Sequence, residues 1–415
     1  MVEMKRDECD RKGVTGVLGI DQSTSAMDTP QRPHSPMDAD RPSDYGTRRI
    51  ERFLARGFIG LLSLVIGLVG LEVIGRCVLG EVKAPVEAAY PSGFLRRPRP
   101  YVMFGGTPGN GLNERGYRGP APTSPKPDGE YRIMLLGGST VFEGEPPIAA
   151  LMEEQFHHNG HSHVRVYNCG VVSSVSGQEL ARIVFELADD APDLIVMYNG
   201  GNDVLEPMHY DPRPGYPFNF LLNENNPILT GNDRPYPLVP LVAYASHVCR
   251  RLGEWRFAEA FGRLEELRTA TQWKSAAWEE QIASTYVRNL EKGAKVSAAF
   301  GADFVAFFQP TLAFKDALAG AEIERSRKDA WEIATSQAIR QRIHAHAKTA
   351  MNAGVLNFVD ASDVYDDVPE PVYRDFIHTV QTAKPLVAEF MERHIADLTM
   401  LRHPRSAAKT SVAQR

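Results

Sequence analysis

Hydrophobic positions along this chain follow two different patterns. From Gly57 to Leu71 every residue is apolar, Gly or Ser, and the run continues through Val73, Ile74 and Gly75 with only Glu72 intruding. Residues 57–75 come close to the roughly twenty apolar positions that cross a bilayer as a helix. The run has no polar face, which suits a membrane span better than a surface helix or a buried core helix. A transmembrane helix is therefore predicted over residues 56–79. Glu72 lies near its end, where a charge costs less than at the bilayer centre.

From residue 129 onward short apolar runs alternate with helical stretches. Buried parallel strands are predicted at Tyr131–Leu136, Val164–Asn168, Leu194–Tyr198, Phe304–Phe308 and Val355–Val359. Helices are predicted at about Ile148–His158, Gln178–Leu187, Trp273–Ala299, Trp331–Asn352 and Ala383–Leu398. Strands alternating with helices indicate an α/β domain with a parallel sheet and right-handed crossovers, here over residues 129–400.

The remaining segments lack such periods. Residues 1–55 are rich in Asp, Arg, Ser and Pro for most of their length, as expected of a disordered tail. Residues 80–128 are rich in Pro, Gly and Arg, as in an extended connector, and 401–415 form a second disordered tail. Arg48, Arg49, Arg52 and Arg56 precede the apolar run, whereas Arg76 and Lys83 follow it. By the positive-inside rule the N-terminus stays in the cytoplasm and the α/β domain is extracytoplasmic, tethered at the inner membrane. Arg48-Arg49 and Ile74–Cys77 match twin-arginine and lipobox signals poorly, so an uncleaved anchor is expected.

Composition narrows the function classes. At 415 residues, 43% apolar and 24% charged, the chain is of ordinary globular proportions. Its net charge of −6 supplies no basic field for nucleic acid, which is not expected as a partner. Cys9, Cys77, Cys169 and Cys249 have no metal-like spacing. The histidines of His157-His158-Asn159-Gly160-His161-Ser162-His163 read as a solvated turn rather than a metal site. No metal and no cofactor is expected. Cys169 and Cys249 are the candidates for a disulfide in an oxidising compartment.

In an open parallel sheet ligands gather beyond the carboxyl ends of the strands. Four such places carry suggestive residues: Gly137-Gly138-Ser139-Thr140, Asn168-Cys169-Gly170, Asn199-Gly200-Gly201-Asn202-Asp203, and Asp375-Phe376-Ile377-His378. Each alone has a bland reading. Ser139 suits a helix cap, Gly170 and Asn202 suit turns, and Asp375 with His378 suits a solvated pair. Together they fill the roles of an acyl-transfer site: a hydroxyl, a histidine, an orienting carboxylate and oxyanion donors.

In this order the four blocks resemble those of the SGNH (GDSL-like) hydrolase superfamily, over roughly residues 129–400. Asn113-Glu114-Arg115-Gly116-Tyr117-Arg118-Gly119, ahead of the first strand, together with the apolar helix, is similar to the bacterial membrane-anchored branch. The resemblance implies a flavodoxin-like three-layer α/β/α domain. It makes Ser139 the nucleophile, His378 its base and Asp375 the orienting carboxylate. It builds the oxyanion hole from the backbone N–H groups of Ser139 and Gly170 and the side-chain amide of Asn202. Gly138 stands where the name of the superfamily implies Asp.

An insert over residues 203–270 is rich in Pro and aromatics, including Tyr210, Tyr216, Phe218, Phe220 and Tyr236. It reads either as a sugar-stacking surface or as a flap over the core. The expected function is a membrane-anchored serine esterase that removes acyl groups, O-acetyl foremost, from envelope or exported polysaccharide. The alternatives are a polysaccharide O-acyltransferase on the same triad and a non-catalytic glycan-binding or assembly protein on the same fold.

Overall fold

The computed structural model describes residues 44–78, 97–109, 111–218, 220–224 and 257–398. Residues 1–43 of the tail expected over 1–55, the tail expected over 401–415, Cys9, Cys249 and Tyr236 of the insert lie outside them, while residues 44–55 of the expected disordered tail are instead helical. The chain divides into two units, Met1–Leu68 and Val69–Arg415.

One helix, α1 (Asp44–Val78), carries the apolar run. Its Arg49–Val78 portion is long and apolar enough to cross a membrane. At about 1.5 Å per residue it exceeds the roughly 30 Å of a hydrocarbon core. Arg76 Nε donates to Glu72 Oε1 at 3.0 Å, which partners the acid within the run.

The larger unit is built on five parallel strands: β3 (Tyr131–Gly137), β4 (Val164–Gly170), β5 (Leu194–Asn199), β6 (Asp303–Phe308) and β7 (Phe358–Asp360). Their order is β4-β3-β5-β6-β7. Numbered from the first central strand this is 2-1-3-4-5, the doubly wound flavodoxin-like order. Alternation along buried strands explains the two helical layers. Met134, Leu136, Ile195, Met197, Phe304 and Phe308 face one core, together with Trp278, Tyr286, Ile339 and Ile343. Ile133, Leu135, Val196, Tyr198, Val305 and Phe307 face the other, with Met152, Phe156, Val387 and Met391.

Each helix brings its own apolar stripe. In α2 (Ile148–His158), Ile148, Ala149, Met152 and Phe156 recur at helical spacing. In α3 (Ala330–Asn352), Ile339, Ile343, Ala347 and Ala350 do the same. Helix α4 (Ala276–Ala299) is capped by Ser275, whose hydroxyl accepts the Trp278 N–H. Two expectations shift. The last strand is shorter than Val355–Val359, because the Val355 N–H closes the end of α3 on the Ala350 carbonyl at 3.0 Å. The helix expected at Gln178–Leu187 is α-helical over Ser176–Arg182 and π-helical over Ile183–Leu187.

Ahead of β3, a two-stranded hairpin pairs β1 (Arg97–Arg99) with β2 (Met103–Gly105). Phe104 and Tyr117 join the first core. Arg182 sits 4.9 Å from the Tyr117 ring centre, and the Tyr117 hydroxyl donates to Glu186.

A buried ion pair fixes the approach to the last block. Lys315 and Glu322 side chains are fully enclosed, with Nζ 2.9 Å from Oε2. Glu322 Oε1 accepts the N–H groups of Val372 and Tyr373, at 2.7 and 2.9 Å. Its Oε2 also accepts the Ala319 N–H at 3.1 Å. A carboxylate with four donors is stable only while all are kept. Glu322→Ala leaves the Lys315 cation buried without this partner and should destabilise the protein by about 3–5 kcal/mol, read by urea unfolding of the detergent-solubilised chain.

Candidate active site

Strand β3 ends at Gly137, and Ser139 opens the short helix α5 (Ser139–Phe142) directly beyond it. Ser139 is only 6% exposed. Its helix is held by Asn168 at the end of β4, whose Nδ2 donates to the Val141 carbonyl at 2.9 Å.

The structure brings Ser139, His378 and Asp375 together. His378 Nε2 lies 2.6 Å from Ser139 Oγ, and Nδ1 lies 2.7 Å from Asp375 Oδ2. The second Asp375 oxygen accepts the N–H groups of Ile377 and His378, at 2.9 and 2.7 Å. Burial alone would raise the Asp375 carboxyl, but bonds from the His378 side chain and these two N–H groups outweigh it and lower its pKa to about 2. An ionised Asp375 requires Nδ1 to carry the proton, which leaves Nε2 to accept from the Ser139 hydroxyl. The loop is clamped at both ends: the Arg374 N–H donates to the His378 carbonyl at 2.8 Å, and the Val380 N–H to the Val372 carbonyl at 2.7 Å.

Of the three expected oxyanion donors, two sit beside Ser139. The Ser139 N–H is in the first turn of α5, where no intrahelical acceptor exists. The Asn202 amide nitrogen lies against the Cα of Gly138, where a Cβ would collide with it. It donates to the Ser174 carbonyl at 2.8 Å.

Gly170 is a correction. Its N–H is taken up by the Asn168 side chain, donating to Oδ1 at 3.0 Å. A Cβ on Gly170 would stand 2.6 Å from the Phe142 nitrogen, so this glycine lets β4 and the nucleophile helix approach. The turn expected there comes later, where the Ser174 N–H closes on the Val171 carbonyl and Ser173 takes a left-handed φ of 62°. Cys169, beside it, is free and buried. Burial raises its thiol to about 12, so it is no competing nucleophile.

Behind the site runs a buried polar network not singled out from sequence. Asn199, the last residue of β5, donates to Glu179 Oε2 at 2.5 Å and accepts from the Tyr286 hydroxyl at 2.8 Å. Asp203 accepts the Ser176 N–H at 3.1 Å and its hydroxyl at 2.5 Å, while Asn289 donates to that hydroxyl at 3.0 Å. These bonds tie the segment after β4 to the one bearing Asn202. Glu143, just past the nucleophile helix, was also missed; Oε1 lies 3.8 Å from His378 Nε2, and Oε2 pairs with Arg374 at 2.6 Å. Its one sequence signal is a position four residues after Ser139.

The described insert residues pack together. Arg213 binds Asp211 and Glu224 and lies 3.9 Å from the Tyr216 ring centre. Trp278 donates to the Pro212 carbonyl at 2.7 Å. Tyr210 and Tyr216 remain partly exposed. His157, from the histidine cluster, bonds to the Val164 carbonyl through Nε2 at 2.9 Å.

No family model matches the sequence, and no curated protein matches it. Among solved structures the chain is similar to a GDSL-like lipase from Bacteroides thetaiotaomicron, at 13% identity and a TM-score of 0.35, over 66% of this chain and 93% of that one. It is also similar to an acetyl xylan esterase from Geobacillus stearothermophilus, at 12% identity and a TM-score of 0.35, over 64% and 94%. The strand order and the two cores give the flavodoxin-like three-layer α/β/α fold that was expected.

Burial, then the Asp203 charge, raises Glu179 to about 8 against the Asn199 bond. Burial also raises Asp203 to about 6, against the Ser176 bonds. The folded protein thus keeps the Glu179 proton up to about pH 8, whereas the unfolded carboxyl releases it near 4.5. The folded state binds more protons across that window, so stability falls as pH rises through it, by up to about 1.4 kcal/mol per unit. Glu179→Gln should flatten that slope and gain most over wild type at pH 8, read by urea unfolding at pH 5 and pH 8.

Proposed function

We propose that this protein is a serine esterase, anchored by α1 with its α/β domain outside the cytoplasm. It removes O-acyl groups, O-acetyl foremost, from envelope or exported polysaccharide. The observation that carries the esterase reading is the unbroken chain from Ser139 Oγ through His378 to Asp375, at 2.6 and 2.7 Å.

The geometry supports a two-step acyl transfer. His378 Nε2 takes the Ser139 proton as Oγ attacks the ester carbonyl, and Asp375 holds the resulting imidazolium. The Ser139 N–H and the Asn202 amide stabilise the oxyanion, the amide through the N–H that the Ser174 carbonyl does not take. Protonation by His378 releases the sugar hydroxyl and leaves an acyl-serine. Water, activated by the same histidine, then frees the carboxylic acid and restores the serine.

Anchoring rests on the length and apolarity of Arg49–Val78, and orientation on the arginines before it. A tethered enzyme facing outward meets glycans first. The acetyl xylan esterase among the similar structures agrees with a sugar ester as substrate, without arguing for it.

Turnover of short-chain aryl esters by the detergent-solubilised chain tests the esterase reading. Ser139→Ala should lower kcat by several orders of magnitude, to near background. Asn202→Ala should lower it by about 10²–10³-fold with little change in KM. A folded wild type that is inert on every ester favours a binding protein, and acyl transfer to an added glycan exceeding hydrolysis favours a transferase. A reporter fused after Arg415 should be active only outside the cytoplasm; a silent one contradicts the orientation.

A further inference from the structure

The residue that ends the nucleophile helix brings a second acceptor to the triad. Glu143 caps α5, and its N–H donates to the Ser139 carbonyl at 2.8 Å, so the turn that carries the nucleophile also fixes the Glu143 backbone. Its two carboxylate oxygens have different surroundings. Oε2 is held by Arg374 Nη2 at 2.6 Å, and Arg374 is itself tied through Nε to the Thr379 carbonyl at 3.1 Å. Oε1 accepts no hydrogen bond among the described residues and stands 3.8 Å from His378 Nε2, the atom that exchanges protons with the nucleophile.

Before reaction Nε2 is occupied, because the Ser139 hydroxyl lies 2.6 Å away and donates to it. Acylation removes that donor. The ester oxygen of an acyl-serine carries no proton, while Asp375 keeps the ring proton on Nδ1. The Nε2 lone pair and a carboxylate oxygen are then left facing each other with nothing to donate between them. Water fits this arrangement, since it has two O–H groups, one for each acceptor. At about 2.8 Å from both, it bridges atoms roughly 4–4.5 Å apart. That is slightly more than the unliganded separation and within reach of a Glu143 side chain that is 37% exposed. An alcohol has a single O–H. Once that is given to Nε2, its oxygen lone pairs and its carbon are turned towards Oε1, which is left without a donor.

We propose that Glu143 selects water over an alcohol as the acyl acceptor, and so makes the site hydrolytic rather than transferring. One water O–H donates to His378 Nε2 and the other to Glu143 Oε1. Nε2 removes the first proton as the water oxygen bonds to the acyl carbon. The oxyanion then collapses, the bond from that carbon to Ser139 Oγ breaks, and the imidazolium returns its proton to Oγ. The carboxylic acid leaves with the second water hydrogen, so Glu143 takes no proton and ends as it began. Arg374, through Oε2, keeps Oε1 turned towards His378. Acylation proceeds without Glu143, because the Ser139 hydroxyl needs only Nε2. The role rests on the esterase reading and specifies its second step.

The test follows the acyl-enzyme on the full chain in detergent, with p-nitrophenyl acetate as acyl donor and methanol as competing acceptor. The ratio of methyl acetate to acetate, read by proton NMR at fixed methanol, is set after acylation and is independent of its rate. Glu143→Gln should raise this ratio about tenfold or more and slow deacylation about tenfold or more, so that acetyl-Ser139 accumulates in mass spectra of the intact chain. The burst of p-nitrophenol, which reports acylation, should keep its rate within about twofold. Glu143→Ala removes bulk as well as the acceptor and should move the ratio in the same direction. A shift in Glu143→Ala alone makes the effect one of space, equal losses in acylation and deacylation make it a general disturbance of the triad, and an unchanged ratio in both variants removes Glu143 from acceptor choice. Each of these overturns the proposal, while formation of acetyl-Ser139 leaves the esterase reading standing. A wild type that forms no acetyl-Ser139 overturns both.

Discussion

The hydrogen bond between Ser139 and His378 joins two side chains 239 residues apart in sequence, and much of the larger unit bears on keeping it short. Ser139 is placed by the end of a fully buried strand and by a helix that Asn168 holds from the neighbouring strand. His378 is placed from the other side of the sheet by a loop whose entrance is clamped on Glu322. The cost of leaving enclosed donors unsatisfied makes each clamp close to all-or-none, which is how a static scaffold holds reacting atoms at hydrogen-bonding distance.

The carboxyl groups around the site show how local surroundings decide their use. Asp375 is half enclosed and surrounded by donors, so it is ionised and can hold an imidazolium. Glu322 is fully enclosed but has four donors, including an ammonium, so it serves as a structural clamp. Glu179 and Asp203 are fully enclosed, so burial raises both carboxyls, and the Asp203 charge raises Glu179 further. Glu143 stays at the edge, facing both His378 and Arg374. Similar side chains thus provide orientation, anchorage, a rigid backing and a charged rim.

The fold was largely legible because buried parallel strands appear as continuous apolar runs. Tyr131–Leu136 and Leu194–Tyr198 each fall one residue short of the observed strands. The shortened last strand was not legible, because Val355 is apolar whether it pairs in a sheet or closes a helix. Gly170 misled for a related reason: a glycine at a strand end serves equally for a turn or for close approach, and only the nearby Phe142 backbone decides between them. The turn itself falls on Ser173, whose left-handed backbone has no reliable mark in sequence. Glu179 and Glu322 were missed because burial of a charged side chain depends on elements far away along the chain. Ser139, Asp375 and His378 were legible as a set, since strand ends in an open sheet share one edge.

The central claim is that His378 activates Ser139, and covalent labelling tests it most directly. The detergent-solubilised chain, treated with a serine-directed fluorophosphonate and digested for mass spectrometry, should carry one adduct, on the peptide containing Ser139. Labelling should collapse in His378→Ala while that variant keeps the wild-type far-ultraviolet circular dichroism. An adduct on another serine, or labelling of Ser139 at an undiminished rate without the histidine, would contradict the account.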